Sequence, residues 1–207
     1  AQFAWLNIGS QGRKEQLLLT DQDSAIVFED VSEENHDAVK HYFIELAENV
    51  TQTLNTVGYE YCPAEMMASN PQWCKSVSDW KNQFKGWITA PGEKGILLST
   101  IFFDYDFTYG NEALVDEITK TIHEATQDNP LFFAFLGADA LKNPPPLGFF
   151  RQFLVENDGE HKDTFDLKAR ALMPLIDAAR IISLSKGIKN VSNTISRYVK
   201  LAELEPQ

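Results

Sequence analysis

The residues best suited by type and spacing to do chemistry lie near the start of the chain, in the run GSQGRKEQLLLTDQDSAIVF at positions 9–28. Asp21 and Asp23 are separated by one residue, and in an extended chain such a pair points to one face. Two carboxylates aimed at one spot repel each other unless a cation sits between them. Magnesium, or manganese, suits such a pair: it takes hard oxygen ligands and leaves positions for waters and substrate phosphates. Upstream, Gly9 lets the backbone turn tightly and approach a ligand. Ser10 offers a hydroxyl and an amide, and a helix beginning near residue 11 would favour an anion at its start. Arg13 adds a forked cation within one turn. The whole reads as a triphosphate cradle ahead of a metal-binding pair. A blander reading stands beside it, in which TDQD is an Asx-type turn with solvated aspartates.

Several elements must position these groups. Residues 3–8 (FAWLNI) and 24–28 (SAIVF) read as short buried strands, one ending at the Gly9 turn and the other beginning at the aspartates. Val39, Phe43, Leu46, Val50, Leu54 and Val57 recur at three- and four-residue spacing, which predicts a helix over 33–56 ending near Gly58. A second helix is expected over 77–89, with Trp80, Phe84 and Trp87 as core packing and Pro91 with Gly92 as its stop. GILLSTIFFDYDF, positions 95–107, reads as the strongest strand of the chain, with Asp104 and Asp106 at its far end. Helices are expected over 112–126 and 130–142, followed by a sharp break at Asn143 and three prolines. GFFRQFLV and DTFDLK flank a turn and suggest a hairpin, and last helices are expected over 168–186 and 189–203. The sum is an α+β protein, with a small mixed-sheet domain over 1–110 carrying the chemistry and a mainly helical domain over 111–207.

Bulk properties narrow the function further. A formal charge of -12 argues against a phosphate-tracking surface, so nucleic acid is not an expected partner. No apolar run approaches a membrane span. The two cysteines, Cys62 and Cys74, are too few for a disulfide framework and lack C-x-x-C spacing, so they read as reduced thiols of a cytoplasmic protein. Four scattered histidines make no zinc pattern. The first strand begins almost at residue 1, which suggests an excised piece of a longer protein.

GSQGRKEQLLLTDQDSAIV resembles the nucleotidyltransferase fold of the DNA polymerase beta superfamily, where a Gly-Ser turn precedes a D-x-D strand. More narrowly, it resembles bacterial nucleotidyltransferases fused to cyclic-nucleotide-binding or cystathionine-beta-synthase-type sensor domains, relatives of the uridylyltransferase that modifies the PII protein. The likeness continues through CPAEMMASNPQW and IFFDYDFTYGNEALVDEI, and ends with DLKARALMPLIDAARIISLSKGI, which resembles the family's C-terminal substrate-binding domain.

The resemblance implies a role for each matching residue. Gly9 and Ser10 would be the phosphate-gripping turn, and Asp21 and Asp23 ligands of two metal ions. Asp104 would be the third carboxylate, on the acceptor-side metal. Lys168 and Arg180 match positions of the substrate-binding domain. It also implies a nucleoside triphosphate as partner, a protein or small-molecule acceptor, sensor domains N-terminal to this segment in the full-length chain, and a place in signal transduction. The family's FFD-x-R run reads FFDYD here, so Asp106 stands where arginine is usual. Asp106 is expected to lie toward the domain junction, near Arg151 or Lys168.

The leading expectation is a metal-dependent nucleotidyltransferase that expels pyrophosphate. The alternative is a catalytically weak or inactive nucleotide-binding regulatory domain, to which the residue at 106 lends weight. A D-x-D phosphatase would place its apolar strand before the first aspartate, whereas here it follows the second.

Overall fold

The computed structural model describes residues 1–17, 21–127, 129–142 and 164–204. Its centre is a four-stranded mixed sheet in the order β5-β3-β1-β6, from β1 (Phe3–Asn7), β3 (Ser24–Phe28), β5 (Cys74–Ser76) and β6 (Asp106–Gly110). β1 runs antiparallel to both β3 and β6, while β3 and β5 are parallel. A two-stranded parallel ribbon joins β2 (Asp21–Gln22) to β4 (Glu60–Tyr61).

Alternation along the central strands divides two cores. Ala4, Leu6, Ala25 and Val27 face a large cluster with Trp73, Trp80, Phe84 and Phe102, whereas Trp5, Ile26 and Phe28 face a smaller one with Phe43 and Ala47. The smaller cluster is closed by α2 (Glu33–Thr56), whose apolar stripe packs on that face. The larger is closed by α3 (Val77–Thr89), α4 (Glu93–Phe102), α5 (Glu112–Thr126) and α6 (Pro130–Ala140). Trp80 is core as its spacing implied, and its indole N–H donates to the buried carbonyl of Ile26 at 2.9 Å. α7 (Met173–Ser185) follows a π-helical turn at Lys168–Leu172, and α8 (Thr194–Leu204) packs against α7. This is an α+β fold.

Helix starts follow local chemistry. Ser76 caps α3 by accepting from the Asp79 amide at 3.2 Å, Asn111 caps α5 at Ala113, and Asn129 caps α6 at Phe132 ahead of Pro130. One large expectation is overturned: residues 95–102 are helical, not extended, and only Asp106–Gly110 joins the sheet. Short apolar runs do not distinguish helix from strand by periodicity. Here the Ser99 hydroxyl donates to the carbonyl of Gly95 at 2.7 Å, and Ile96, Leu98 and Phe102 are all buried. The last helix starts at Thr194, later than expected, and α6 ends at Ala140. Residues 164–166 are neither strand nor helix; the rest of the expected hairpin, the triple proline and Arg151 lie outside the described residues. No helix among the described residues is long and apolar enough to cross a membrane.

The short helical turn α1 (Gly9–Gly12) follows β1 and packs against α4 and β6. A Cβ on Gly12 would lie 2.0 Å from the carbonyl oxygen of Asp104 and 2.8 Å from that of Asn7. Gly12→Ala is therefore expected to destabilise the protein by about 3 kcal/mol, the upper range for overpacking. Chemical denaturation checks this, and a parent-like midpoint would refute the close backbone approach.

Candidate functional site

The site is assembled by pairing that brings three segments together. β2 lies parallel to β4, with Asp21 opposite Glu60 and Gln22 opposite Tyr61. The buried Gln22 amide secures this ribbon, donating to the carbonyls of Thr51 at 3.0 Å and Tyr59 at 2.9 Å. The residue after each strand then brings Asp23 beside Cys62. The Ile8 amide donates to the carbonyl of Asp23 at 3.1 Å, which fixes the Gly9 turn next to it. On the other side, the Ser24 amide donates to the carbonyl of Met66 at 2.9 Å and the Ser24 hydroxyl accepts from the Ala68 amide at 3.0 Å.

Asp21, Asp23 and Cys62 each offer a ligand atom, and these atoms lie within 4.8 Å of one another. Gly9 sits at φ +60, in the left-handed region, and a Cβ there would be 3.3 Å from Oδ2 of Asp23. The turn bearing Ser10 thus abuts the carboxylate pair. Lys168, exposed at the start of the π-helical turn, lies close enough to Asp23 to act on its charge. The structure brings together Gly9, Ser10, Asp21, Asp23 and Lys168.

Electrostatics mark Asp23 as a group without adequate compensation. Burial pushes its carboxyl up from 3.8 to about 6, and the neighbouring Asp21 charge adds to the rise. A hydrogen bond from Cys62 and the cations Lys168 and Arg13 oppose it. The Cys62 thiol is pushed up to about 11, chiefly by burial and also by Asp23, against hydrogen bonds from the backbone amides of Met66 and Ala64. A partly desolvated carboxylate beside a second one, at a turn with an exposed lysine opposite, fits a divalent cation carrying phosphate oxygens.

Three expected site residues lie elsewhere. Asp104, expected on the acceptor-side metal, has a fully buried side chain whose two oxygens are held by guanidinium groups. Arg197 reaches Oδ1 at 2.7 Å, while Arg13 at 2.8 Å and Arg180 at 2.5 Å share Oδ2. Arg13 also pairs with Glu15 at 2.9 Å and Arg180 with Asp177 at 2.6 Å, so three cations meet three carboxylates. Arg13 and Arg180 are accordingly buried in this cluster, not presented to a nucleotide or acceptor. The physical reason is the helical course of residues 93–102, which carries Asp104 into a turn before β6, out of any strand alternation with Asp106. Asp106 pairs with Lys14 at 3.0 Å.

Sequence reasoning missed Cys62, because a lone cysteine carries no ligand spacing and the β2–β4 pairing is not local. It also missed Arg197, Glu15 and Asn193. The Asn193 amide donates to the Arg13 carbonyl at 3.1 Å, and Glu15 accepts from the Thr194 amide at 2.6 Å, so the segment after the phosphate turn is tied to the start of α8.

Two family models match the chain. The one described as "Putative nucleotidyltransferase DUF294" matches residues 1–94, and the one described as "Putative nucleotidyltransferase substrate binding domain" matches residues 130–205. No curated protein matches the chain.

Proposed function

Since the chain belongs to the family of the Putative nucleotidyltransferase DUF294 and its substrate binding domain, we propose that it moves a nucleoside monophosphate from a nucleoside triphosphate to an acceptor hydroxyl. The observation that carries this reading is the Asp21–Asp23 pair set against the left-handed Gly9 turn. Asp21 and Asp23 would hold the divalent cation, magnesium or manganese. When bound, it would neutralise phosphate charge and stabilise the attacking and leaving oxygens.

The residues of the chain do the rest. Gly9 lets the turn come close to phosphate oxygens, Ser10 donates from its hydroxyl, and Lys168 supplies a positive charge across from Asp23. The acceptor oxygen bonds to the α-phosphorus, the α–β anhydride bond breaks, pyrophosphate leaves, and the acceptor's proton passes to solvent. The C-terminal helices, which carry Lys168, present the acceptor. We place the boundary of this acceptor-presenting part near residue 110 and the protein in cytoplasmic signal transduction, with sensor domains N-terminal to the segment described.

A second reading has its own observation. With Asp104 bound by three guanidinium groups, the site has no third carboxylate among those expected, which favours a domain that binds nucleotide without turning it over. Pyrophosphate release measured with each nucleoside triphosphate, magnesium or manganese, and candidate acceptors separates the two. Release supports transfer; tight metal-dependent binding without release supports the regulatory reading.

The turn makes a sharper expectation. Ser10→Ala should weaken triphosphate binding by about 1.5 kcal/mol, the worth of one hydrogen bond to a charged group, and should leave a nucleoside nearly unaffected. Calorimetry checks this. Equal triphosphate affinity in parent and variant would move the phosphates away from Ser10.

A further inference from the structure

We propose that Cys62 is the third ligand of the Asp21–Asp23 site and that its sulfur makes the site prefer a borderline divalent transition ion, of the zinc and cobalt class, over magnesium. This rests on the reading of that pair as a cation site and deepens it.

Two independent features point to the sulfur. The first is the placement already described: the sulfur and the carboxylate oxygens of Asp21 and Asp23 lie within 4.8 Å of one another, a span one ion can bridge. Its origin lies in the β2–β4 register, which ends with Asp23 and Cys62 side by side.

The second is the loop around the sulfur. The backbone amides of Ala64 and Met66 both hydrogen-bond to Cys62. Amide N–H groups aimed at a sulfur stabilise its thiolate form, the form that binds metals. They are the outer-shell contacts that orient and tune a metal-bound thiolate.

The loop is built to hold that arrangement. The Glu65 amide donates to the Cys62 carbonyl at 2.9 Å, closing a turn in which Glu65 takes φ +53, a left-handed conformation uncommon for a residue with a side chain. The indole N–H of Trp73 donates to the carbonyl of Glu65 at 3.0 Å, and the Asn70 amide side chain donates to the same oxygen at 3.1 Å. The Met66 carbonyl accepts from Ser24, the residue after Asp23. The turn that presents the sulfur is thereby anchored both to the core and to the strand bearing the carboxylates.

Donor chemistry then sets the preference. Magnesium has little affinity for sulfur and demands oxygen ligands. Two carboxylate oxygens and one thiolate suit a borderline ion, and zinc binds such sets in tetrahedral geometry with a position left for water or substrate. On binding, the Cys62 S–H proton is released to solvent as the metal–sulfur bond forms, with no change of oxidation state.

Cobalt(II) added to the metal-free protein is the test, because a cobalt–thiolate bond gives a near-ultraviolet charge-transfer band. The band is expected in the parent and in Cys74→Ser, and should be absent in Cys62→Ser and Cys62→Ala. Zinc affinity should fall by more than about tenfold in both Cys62 variants, since losing a ligand costs at least as much as losing its outer-shell support. Magnesium affinity should hold within about twofold. Circular dichroism of the variants establishes that they are folded. Cobalt bound without the band, or a band that survives Cys62→Ala or Asp23→Asn, overturns the proposal. If magnesium-dependent nucleotide binding persists in that case, the nucleotidyl-transfer reading stands without Cys62. No binding of any divalent ion overturns both.

Discussion

Asp104→Asn is expected to cost about 3–5 kcal/mol of stability, the penalty for removing one partner of a buried ion pair. That is a large share of the roughly 5–15 kcal/mol holding a typical domain folded. In the parent, Asp104 is fully buried and takes hydrogen bonds from Arg13, Arg180 and Arg197. Neutralising it leaves three guanidinium groups facing only Glu15 and Asp177, with almost no water to take up the difference. The expected signs are a collapsed melting temperature and low soluble yield.

The same cluster should make the protein acid-labile. Burial alone would raise the Asp104 carboxyl, but the charge and hydrogen bond of Arg180, then Arg197 and Arg13, outweigh it and hold the group below 3.8. A depressed carboxyl contributes stability above its unfolded value, and that contribution is lost as pH falls through the folded value. Unfolding of the parent should therefore steepen below about pH 3.8. If Asp104→Asn instead melted with the parent and only lost turnover, Asp104 would be a catalytic carboxylate after all.

Asp23→Asn should reduce pyrophosphate release by about a hundredfold or more, the scale on which loss of one preorganised charge-stabilising group acts. It should also change how the metal-free protein responds to pH, in a window separate from that of Asp104. Burial raises the Asp23 carboxyl from 3.8 to about 6. A raised carboxyl contributes stability that is fully present below its unfolded value and is lost as pH rises through the folded one. The metal-free parent should thus melt higher at pH 5 than at pH 7. The variant should lack this component. Added divalent cation should restore the parent at pH 7 by replacing the missing proton, and should do nothing for the variant. Thermal melts at both pH values, with and without cation, decide it. An identical pH response in parent and variant would show that Asp23 is not the desolvated member of the pair.

Much of the frame was legible because it rests on local rules. Apolar spacing placed α2, α3 and α5 at their observed bounds, helped by capping at Ser76 and Asn111 and by breaks at Gly58 and Pro91. The i, i+2 rule placed Asp21 and Asp23 together, and the run of five buried residues in β3 betrayed a strand covered on both faces. GILLSTIFF was different. Its residues are apolar on every side, so no period favours helix over strand, and β-branched and aromatic residues tilted the reading the wrong way. Tertiary packing made it α4, buried between α3, α6 and the phosphate turn.

That one change of conformation decided the fate of Asp104. A carboxylate at the end of a strand could have faced the metal pair; one in the turn after a helix is carried into the interior. Arginines from positions 13, 180 and 197 then converge on it. Cys62 was decided the same way, since only the β2–β4 pairing brings it to Asp23. By itself the sequence determined the α+β class, the helices with a clear face, and the paired aspartates behind a glycine turn, because each follows from residues within a few positions of one another. The third partner of that pair and the buried ionic cluster depend on contacts across tens to more than a hundred and fifty residues, and only the folded chain brings those groups within reach.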